Sequence, residues 1–201
     1  MIKIENLTKT YDKRVILNKV NIEMNPNQIT VIVGKSGAGK TTLFRVLSGL
    51  EKQDSGTIHL GSNDKLGMVF QKNHLYPHID VMNNLVIPQK VILKRKRADA
   101  INKAKYVLDE LGITYLEKSR VSELSGGEAQ RVAIARTLVM EKNIILLDEP
   151  TSALDRDNTE ILIDILKTLK SEITFIIITH DTYFAEQVSD VIYTLKDGVI
   201  K

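Results

Sequence analysis

The run Gly34-Lys35-Ser36-Gly37-Ala38-Gly39-Lys40-Thr41 fits the pattern G-x-x-x-x-G-K-[ST] at every fixed position. Its surroundings fit as well. The apolar run Ile29-Thr30-Val31-Ile32-Val33 leads in as a strand, and Leu43-Phe44-Arg45-Val46-Leu47 reads as the start of a helix behind it. Glycines let the backbone curl until its N–H groups point at phosphate oxygens, and the helix N-terminus adds positive potential. In such a loop Lys40 reaches the β- and γ-phosphates, and Thr41 offers its hydroxyl to Mg²⁺. The bland alternative is a glycine-rich turn before an ordinary helix, and strand, motif and helix in this order disfavour it.

Working outward, residues 1 to about 25 alternate apolar and polar positions (Ile2/Ile4, Val15/Leu17) around a turn near Asp12-Lys13, which predicts antiparallel strands. The helix after the phosphate loop is expected to end near Ser48-Gly49, and Asp54-Ser55-Gly56 turns the chain into a short strand, Thr57 to Leu60. From about Val81 to Ile113 the pattern is helical, with Gly112 where a C-cap glycine belongs. Lys94-Arg95-Lys96-Arg97 is placed at the entrance of that segment, either as a solvated helix face or as a contact for nucleic acid or anionic lipid. Val132 to Leu138 reads as a mostly buried helix. Strands follow at Ile144 to Leu147, Phe175 to Thr179 and Val191 to Leu195, with a helical stretch at Thr159 to Leu169. The alternation predicts an α/β fold: a mainly parallel sheet covered by helices.

Composition sets limits. The chain has 201 residues, enough for one domain, or one domain carrying a subdomain, with a sizeable core. An apolar fraction of 43% and a charged fraction of 26% suit a soluble globular protein. A net charge of +3 is too small to argue for nucleic acid. Cysteine is absent, which removes disulfides, thiolate metal sites and cysteine nucleophiles. No signal-peptide core is present, and no apolar stretch approaches the roughly 18–20 residues that span a bilayer. Work at a membrane would therefore go through partners that span it.

Two further runs carry chemistry. Ile144-Ile145-Leu146-Leu147-Asp148-Glu149 is an apolar strand ending in two carboxylates. Beside a phosphate loop, Asp148 is the expected holder of Mg²⁺, directly or through water. Glu149, pointing differently, is the candidate general base for the attacking water. His180 follows the strand Phe175 to Thr179; it is either a polar strand terminus or a donor to the γ-phosphate. His59, His74 and His78 have no comparable support. The remaining run is Leu124-Ser125-Gly126-Gly127-Glu128.

In order, these are the phosphate loop, Gln71 after Gly67-Met68-Val69-Phe70, Leu124 to Glu128, Asp148-Glu149, Ser152-Ala153-Leu154-Asp155 and His180. With that order the chain resembles the nucleotide-binding subunits of ATP-binding cassette (ABC) transporters over essentially its whole length. The resemblance implies a P-loop NTPase fold with an N-terminal antiparallel β subdomain. It also implies an inserted α-helical subdomain at about 72–135, all within one cassette, 1–201. It implies ATP and Mg²⁺ as cofactors, and an ATPase whose catalytic residues are Glu149, His180, Lys40 and Gln71.

By the same resemblance Tyr11 stacks on adenine, packing being its other reading, and the loop residues extend to Thr42. Gln71 joins Mg²⁺ and water to the surface that meets the membrane partner, and Asp155 communicates across a dimer. Ser125, Gly126 and Gly127 begin a helix whose N–H groups face an anion. In the family that surface closes over ATP held by a second subunit, so two nucleotides are sandwiched in a homodimer or pseudo-dimer. The implied partners are transmembrane permease subunits and an extracytoplasmic substrate-binding protein, with no nucleic acid. The implied location is the cytoplasmic face of the cell membrane.

Leu75-Tyr76-Pro77-His78, Asn83-Asn84-Leu85, Pro88, Pro150 to Asp155 and Phe184-Ala185-Glu186 look like the cassettes of polar amino-acid uptake systems. Glu128 replaces the commoner glutamine, as also happens in lipoprotein-release and macrolide-export cassettes. It is expected to lie beyond the anion-facing residues, without loss of activity. The short stretch from Gly56 to Gly67 predicts a trimmed antiparallel subdomain, and the end at Lys201 predicts no appended regulatory domain. Soluble relatives that act on DNA carry a long coiled coil between glutamine loop and signature, for which Gln71 to Leu124 leaves no room. Those that act on ribosomes carry two cassettes. A non-catalytic sensing module would show a degraded Asp148-Glu149 or His180, and these are intact.

Overall fold

The computed structural model describes all 201 residues. Alternating apolar positions make the first two strands, β1 (Ile2–Tyr11) and β2 (Arg14–Met24), pair antiparallel with Tyr11 opposite Arg14. Asp12 and Lys13 join them, both left-handed at φ 45° and 69°. Two such residues match the right-handed twist of a tight hairpin.

Next comes β3 (Ile29–Val33), then the phosphate loop and α1 (Lys40–Leu47). Gly39 immediately before α1 has φ 104°, a conformation that suits only glycine, and an added Cβ would lie 3.0 Å from the Ile16 carbonyl. β4 (Ser55–His59) returns to the free edge of β1, completing a three-stranded antiparallel sheet ordered β2-β1-β4.

The remaining elements are β5 (Leu66–Val69), α2 (Val81–Ile92), α3 (Arg97–Glu110), two 3₁₀ turns (Thr114–Leu116 and Val121–Glu123), α4 (Gly126–Leu138) and β6 (Ile144–Asp148). They continue with α5 (Arg156–Leu169), β7 (Thr174–Thr179), α6 (Thr182–Val188), β8 (Val191–Lys196) and β9 (Val199–Ile200). The main sheet is ordered β5-β6-β7-β3-β8-β9 and is parallel except for β9, which runs against β8. The mainly parallel, helix-covered sheet expected from the sequence is present.

Its central strands serve two cores at once. Ile144, Leu146, Ile176, Ile178 and Ile32 face the antiparallel sheet and α1, with Phe44 and Leu47 of α1 packed on them. Ile145, Leu147, Phe175, Ile177 and Val31 face the other way, toward α2 to α6. This is why these strands read as continuous apolar runs rather than alternating ones. Truncating one of these side chains, as in Ile177→Ala, removes its own burial and leaves a cavity, at a cost of about 2–5 kcal/mol.

The helical region differs from its sequence reading. The periodic stretch from Val81 to Ile113 is two helices, and Lys94-Arg95-Lys96-Arg97 is the link between them rather than an entrance. Lys94 has φ 55°, which ends α2. Arg95 turns inward, donating to Gln89 Oε1 and to the Val139 carbonyl and pairing with Glu141. The cluster is therefore not a uniformly solvated face. Gly112 does follow the α3 C-cap in the left-handed region, at φ 65°. β5 and β9 have no counterpart in the sequence reading. No helix is long and apolar enough to cross a membrane.

Candidate nucleotide site

At the carboxyl ends of parallel strands the chain opens a cleft of about 820 Å³. The β3–α1 loop supplies Lys35, Ser36, Gly37, Gly39, Lys40, Thr41 and Thr42 to it. The end of β5 supplies Gln71, the tip of β6 Asp148 and Glu149, the tip of β7 His180, and the hairpin Tyr11. Gly34 and Ala38 belong to the same loop but form its backbone rather than the lining. The Gly34 carbonyl accepts from Lys40 Nζ at 2.7 Å, and Ala38 N–H donates to the Lys35 carbonyl at 3.1 Å.

Lys40 is 7% exposed and extends along its own loop, with Nζ also 3.4 Å from Glu149 Oε1. Glu149 itself sits at φ 47°. A glutamate in that region carries strain of order 1–3 kcal/mol, which persists only where its surroundings hold it. Here they do: Glu149 N–H donates to the Ile178 carbonyl at 2.9 Å. Its Oε2 lies 2.7 Å from His180 Nδ1 and accepts from His180 N–H at 3.2 Å and from Thr179 Oγ1 at 3.3 Å. The strained turn thus holds the Glu149 carboxylate against His180 and Thr179.

Asp148 is 9% exposed. Burial pushes its carboxyl pKa up, the Glu149 charge adds to that, and Lys40 and Arg45 oppose it. Such a carboxylate favours a neighbouring cation. The chain gathers no cluster of three or more His, Asp or Glu ligands. A cation held here would complete its shell with the Thr41 hydroxyl, water and phosphate oxygens, which suits Mg²⁺.

Tyr11 lines the cleft with its ring under Lys9 Nζ, 5.2 Å from the centroid. Its hydroxyl bonds Glu51, which raises the phenol pKa. Arg14 and Ile16 also line the cleft, and Thr179 holds Glu149; sequence reading passed over all three. Alternation along β2 gave no clear signal for the first two, because the β1–β2 ladder shifts register between Lys9 and Thr10, leaving Ile16 without a partner.

The other predicted residues form a second group, away from the cleft. Ser125 caps α4, its hydroxyl accepting from Glu128 N–H at 3.3 Å. Glu128 folds back, and its Oε2 accepts from both the N–H and the hydroxyl of Ser125 at 2.8 Å each. Tyr115 donates to Glu128 Oε1 at 2.9 Å. These bonds, that of the Ser125 backbone first, hold the Glu128 carboxyl below its usual range. Glu128 thus closes a capping box that brings its carboxylate onto Ser125.

Gly126 packs so closely on the next loop that an added Cβ would lie 2.8 Å from the Ala153 carbonyl. Asp155 caps α5, accepting from Asn158 N–H at 2.9 Å and Nδ2 at 2.8 Å, and Asn158 Oδ1 accepts from Arg131 at 3.2 Å. Ser125, Gly126, Gly127 and Asp155 are thus one assembly, and none of them lines the cleft.

The family model described as ABC transporter matches residues 17–152. The glutamine transport ATP-binding protein GlnQ of Bacillus subtilis is 37% identical, covering all of this chain and 88% of that protein. The lipoprotein-releasing system ATP-binding protein LolD of Saccharophagus degradans is 38% identical, covering all of this chain and 96% of that one. A dimeric structure of the bacterial ABC transporter cassette MJ0796 superposes with a TM-score of 0.86 at 31% identity, over all of this chain and 97% of the other. The same cassette in a post-hydrolysis state bound to ADP and Pi matches equally well. The chain belongs to the ABC transporter family, and is an ATP-binding, ATP-hydrolysing subunit of that family with the P-loop fold.

Proposed function

We propose that this cassette drives uptake of a polar amino acid, working as an ATP-clamped dimer beneath transmembrane permease subunits served by an extracytoplasmic substrate-binding protein. In this reading residues 1–201 act as one cassette, with 72–135 as its helical part, peripheral on the cytoplasmic face of the membrane. Nucleic acid has no role. The observation that carries the dimer is the separation of the two residue groups. Lys40, Glu149 and His180 line the cleft, whereas Ser125 to Gly127 begin a helix elsewhere on the same chain. A helix N-terminus attracts an anion. A second copy can bring its own Ser125 to Gly127 to this chain's cleft, and Asp155, packed beneath that helix, would then lie at the seam.

The residues would divide the work as follows. The loop from Gly34 to Thr42 binds the phosphates, and Tyr11 contacts the base. Lys40 exchanges its pairing with Glu149 for phosphate oxygens. Thr41, Asp148 and Gln71 would hold Mg²⁺, which would neutralise charge on the β- and γ-phosphates. Glu149, released from Lys40, orients the attacking water and takes up its proton as the oxygen bonds the γ-phosphorus. The bond from that phosphorus to the β,γ-bridging oxygen breaks, and ADP leaves with the electron pair. His180 is held by Glu149 at Nδ1 and faces the same space, where it stabilises the transferring group.

The amino-acid reading draws support from Leu75 to His78, from Asn83-Asn84-Leu85 and from the name of the GlnQ relative. A second reading, lipoprotein release or lipid export, is favoured by Glu128 in the signature and by the likeness to LolD. Isolating the intact complex from native membranes and identifying what copurifies separates them. An amino-acid receptor supports uptake; a permease with a large extracytoplasmic domain and no receptor overturns it.

A further inference from the structure

Arg136 is the one charged side chain in the apolar run Val132 to Leu138 of α4, and no role above uses it. Its guanidinium is half-buried and has no carboxylate partner. Burial pulls its pKa below the usual arginine value, and the ionisable group that acts on it is the Tyr76 phenol. Its donors go instead to main-chain oxygens. Nη1 donates to the His74 carbonyl at 2.7 Å and Nη2 to the Asn73 carbonyl at 3.0 Å, while Cζ lies 5.8 Å from the Tyr76 ring centroid. A partly desolvated cation so arranged is costly unless those bonds hold.

What it grips begins two residues after Gln71. Residues 71–75 make no backbone–backbone hydrogen bond, so Arg136 supplies the hydrogen bonds that fix this stretch. Upstream, β5 pairs with β6 as far as Val69. Downstream, the fully buried Asn84 accepts from Tyr76 N–H at 2.8 Å and donates to its carbonyl at 3.1 Å. Gln71 therefore links a sheet edge to a loop that is tied to helices. Arg136 stands on the same helix whose first turn carries Gly126 and Gly127, about 15 Å along it at 1.5 Å per residue.

We infer that Arg136 is a positioning residue: it locks the loop bearing Gln71 to the signature helix, so that Gln71 enters or leaves the cleft as Ser125 to Gly127 move. The inference rests on the roles proposed above for Gln71 and the signature segment. Shifting α4 shifts the Asn73 and His74 carbonyls with it, and Gln71 follows because nothing else hydrogen-bonded holds the intervening chain.

A double-mutant cycle on the full chain tests it, with steady-state kcat and KM for ATP hydrolysis and equilibrium ATP affinity as readouts. Arg136→Met and Gln71→Ala should each lower kcat about tenfold with ATP affinity unchanged, and the double variant should lose no more than the worse single one. Arg136→Lys, which keeps the charge and one donor direction, should fall between wild type and Met; it replaces Met in the cycle if the Met variant does not fold. Losses that multiply to about a hundredfold, or an Arg136 variant with wild-type kcat, overturn the inference. If Gln71→Ala alone leaves kcat unchanged, the proposed role of Gln71 fails instead. Tryptic cleavage after the exposed Lys72 then decides the clamp: faster cleavage in Arg136→Lys sustains it, and an unchanged rate overturns it.

Discussion

The cleft and the signature end of α4 contrast in how they satisfy their own charges. In the cleft, Asp148 is buried with a raised pKa, Glu149 sits in a left-handed conformation, and Lys40 is held among carbonyls and a carboxylate. At the α4 end, Ser125 and Glu128 satisfy each other through a capping box, and Glu128 is stabilised in its charged form. One region stores unfavourable charge and strain that a ligand can relieve; the other is self-sufficient and offers a finished surface. A half-site that does chemistry on a phosphate needs the first condition, and a half-site that only closes over it needs the second.

Breaking the contrast at its most reactive point gives the largest expected effect. Glu149→Gln should lower ATP turnover by about 10²–10⁴-fold while ATP still binds, as checked by steady-state hydrolysis beside equilibrium binding. Wild-type turnover would remove Glu149 from its role. Lys40→Ala should act on binding itself, weakening ATP affinity at least tenfold, about 1.4 kcal/mol or more, in a fluorescence titration.

Asp148→Asn sharpens the comparison because its two effects oppose. A folded-state pKa above the unfolded value means that Asp148 contributes stability below the unfolded pKa and loses it as pH rises through the folded one. At neutral pH the ionised side chain therefore destabilises the nucleotide-free fold. The asparagine variant should unfold at higher denaturant, by about 1 kcal/mol, while its Mg²⁺-dependent hydrolysis collapses. The gain should vanish at pH values below the carboxylate range.

Glu128 has the opposite sign. Its lowered pKa places its contribution above the unfolded value, to be lost as pH falls through the folded one. Ser125→Ala should cost about 1 kcal/mol of stability by removing the cap, the smallest effect of the series, seen in denaturant unfolding.

The two regions were also unequally legible in sequence. The phosphate loop, Asp148 and the strands around them announce themselves, because a strand buried on both faces must be a continuous apolar run and a phosphate cradle must be glycine-rich. The signature residues were legible as a motif, but the fold of Glu128 back onto Ser125 was not taken from the pattern, although serine followed three residues later by glutamate is a capping-box signal. The break between α2 and α3 was hidden because no glycine or proline stands between Leu93 and Ala98 to mark it, while Lys94 in the left-handed region and the inward turn of Arg95 are tertiary facts. Arg136 left one trace, as the lone cation of the apolar run Val132 to Leu138. β9 is two residues long and takes its existence from its pairing with β8.

The account's central claim is that one chain carries two halves of different sites. Molar mass in solution tests it most directly, using Glu149→Gln to prevent hydrolysis. ATP should shift that variant from one chain of 22.6 kDa to a dimer. Adding Ser125→Arg should abolish the shift while each chain still binds ATP in its own cleft. A dimer that forms equally well with Ser125→Arg, or ATP binding that leaves the mass of the single variant unchanged, would contradict the claim.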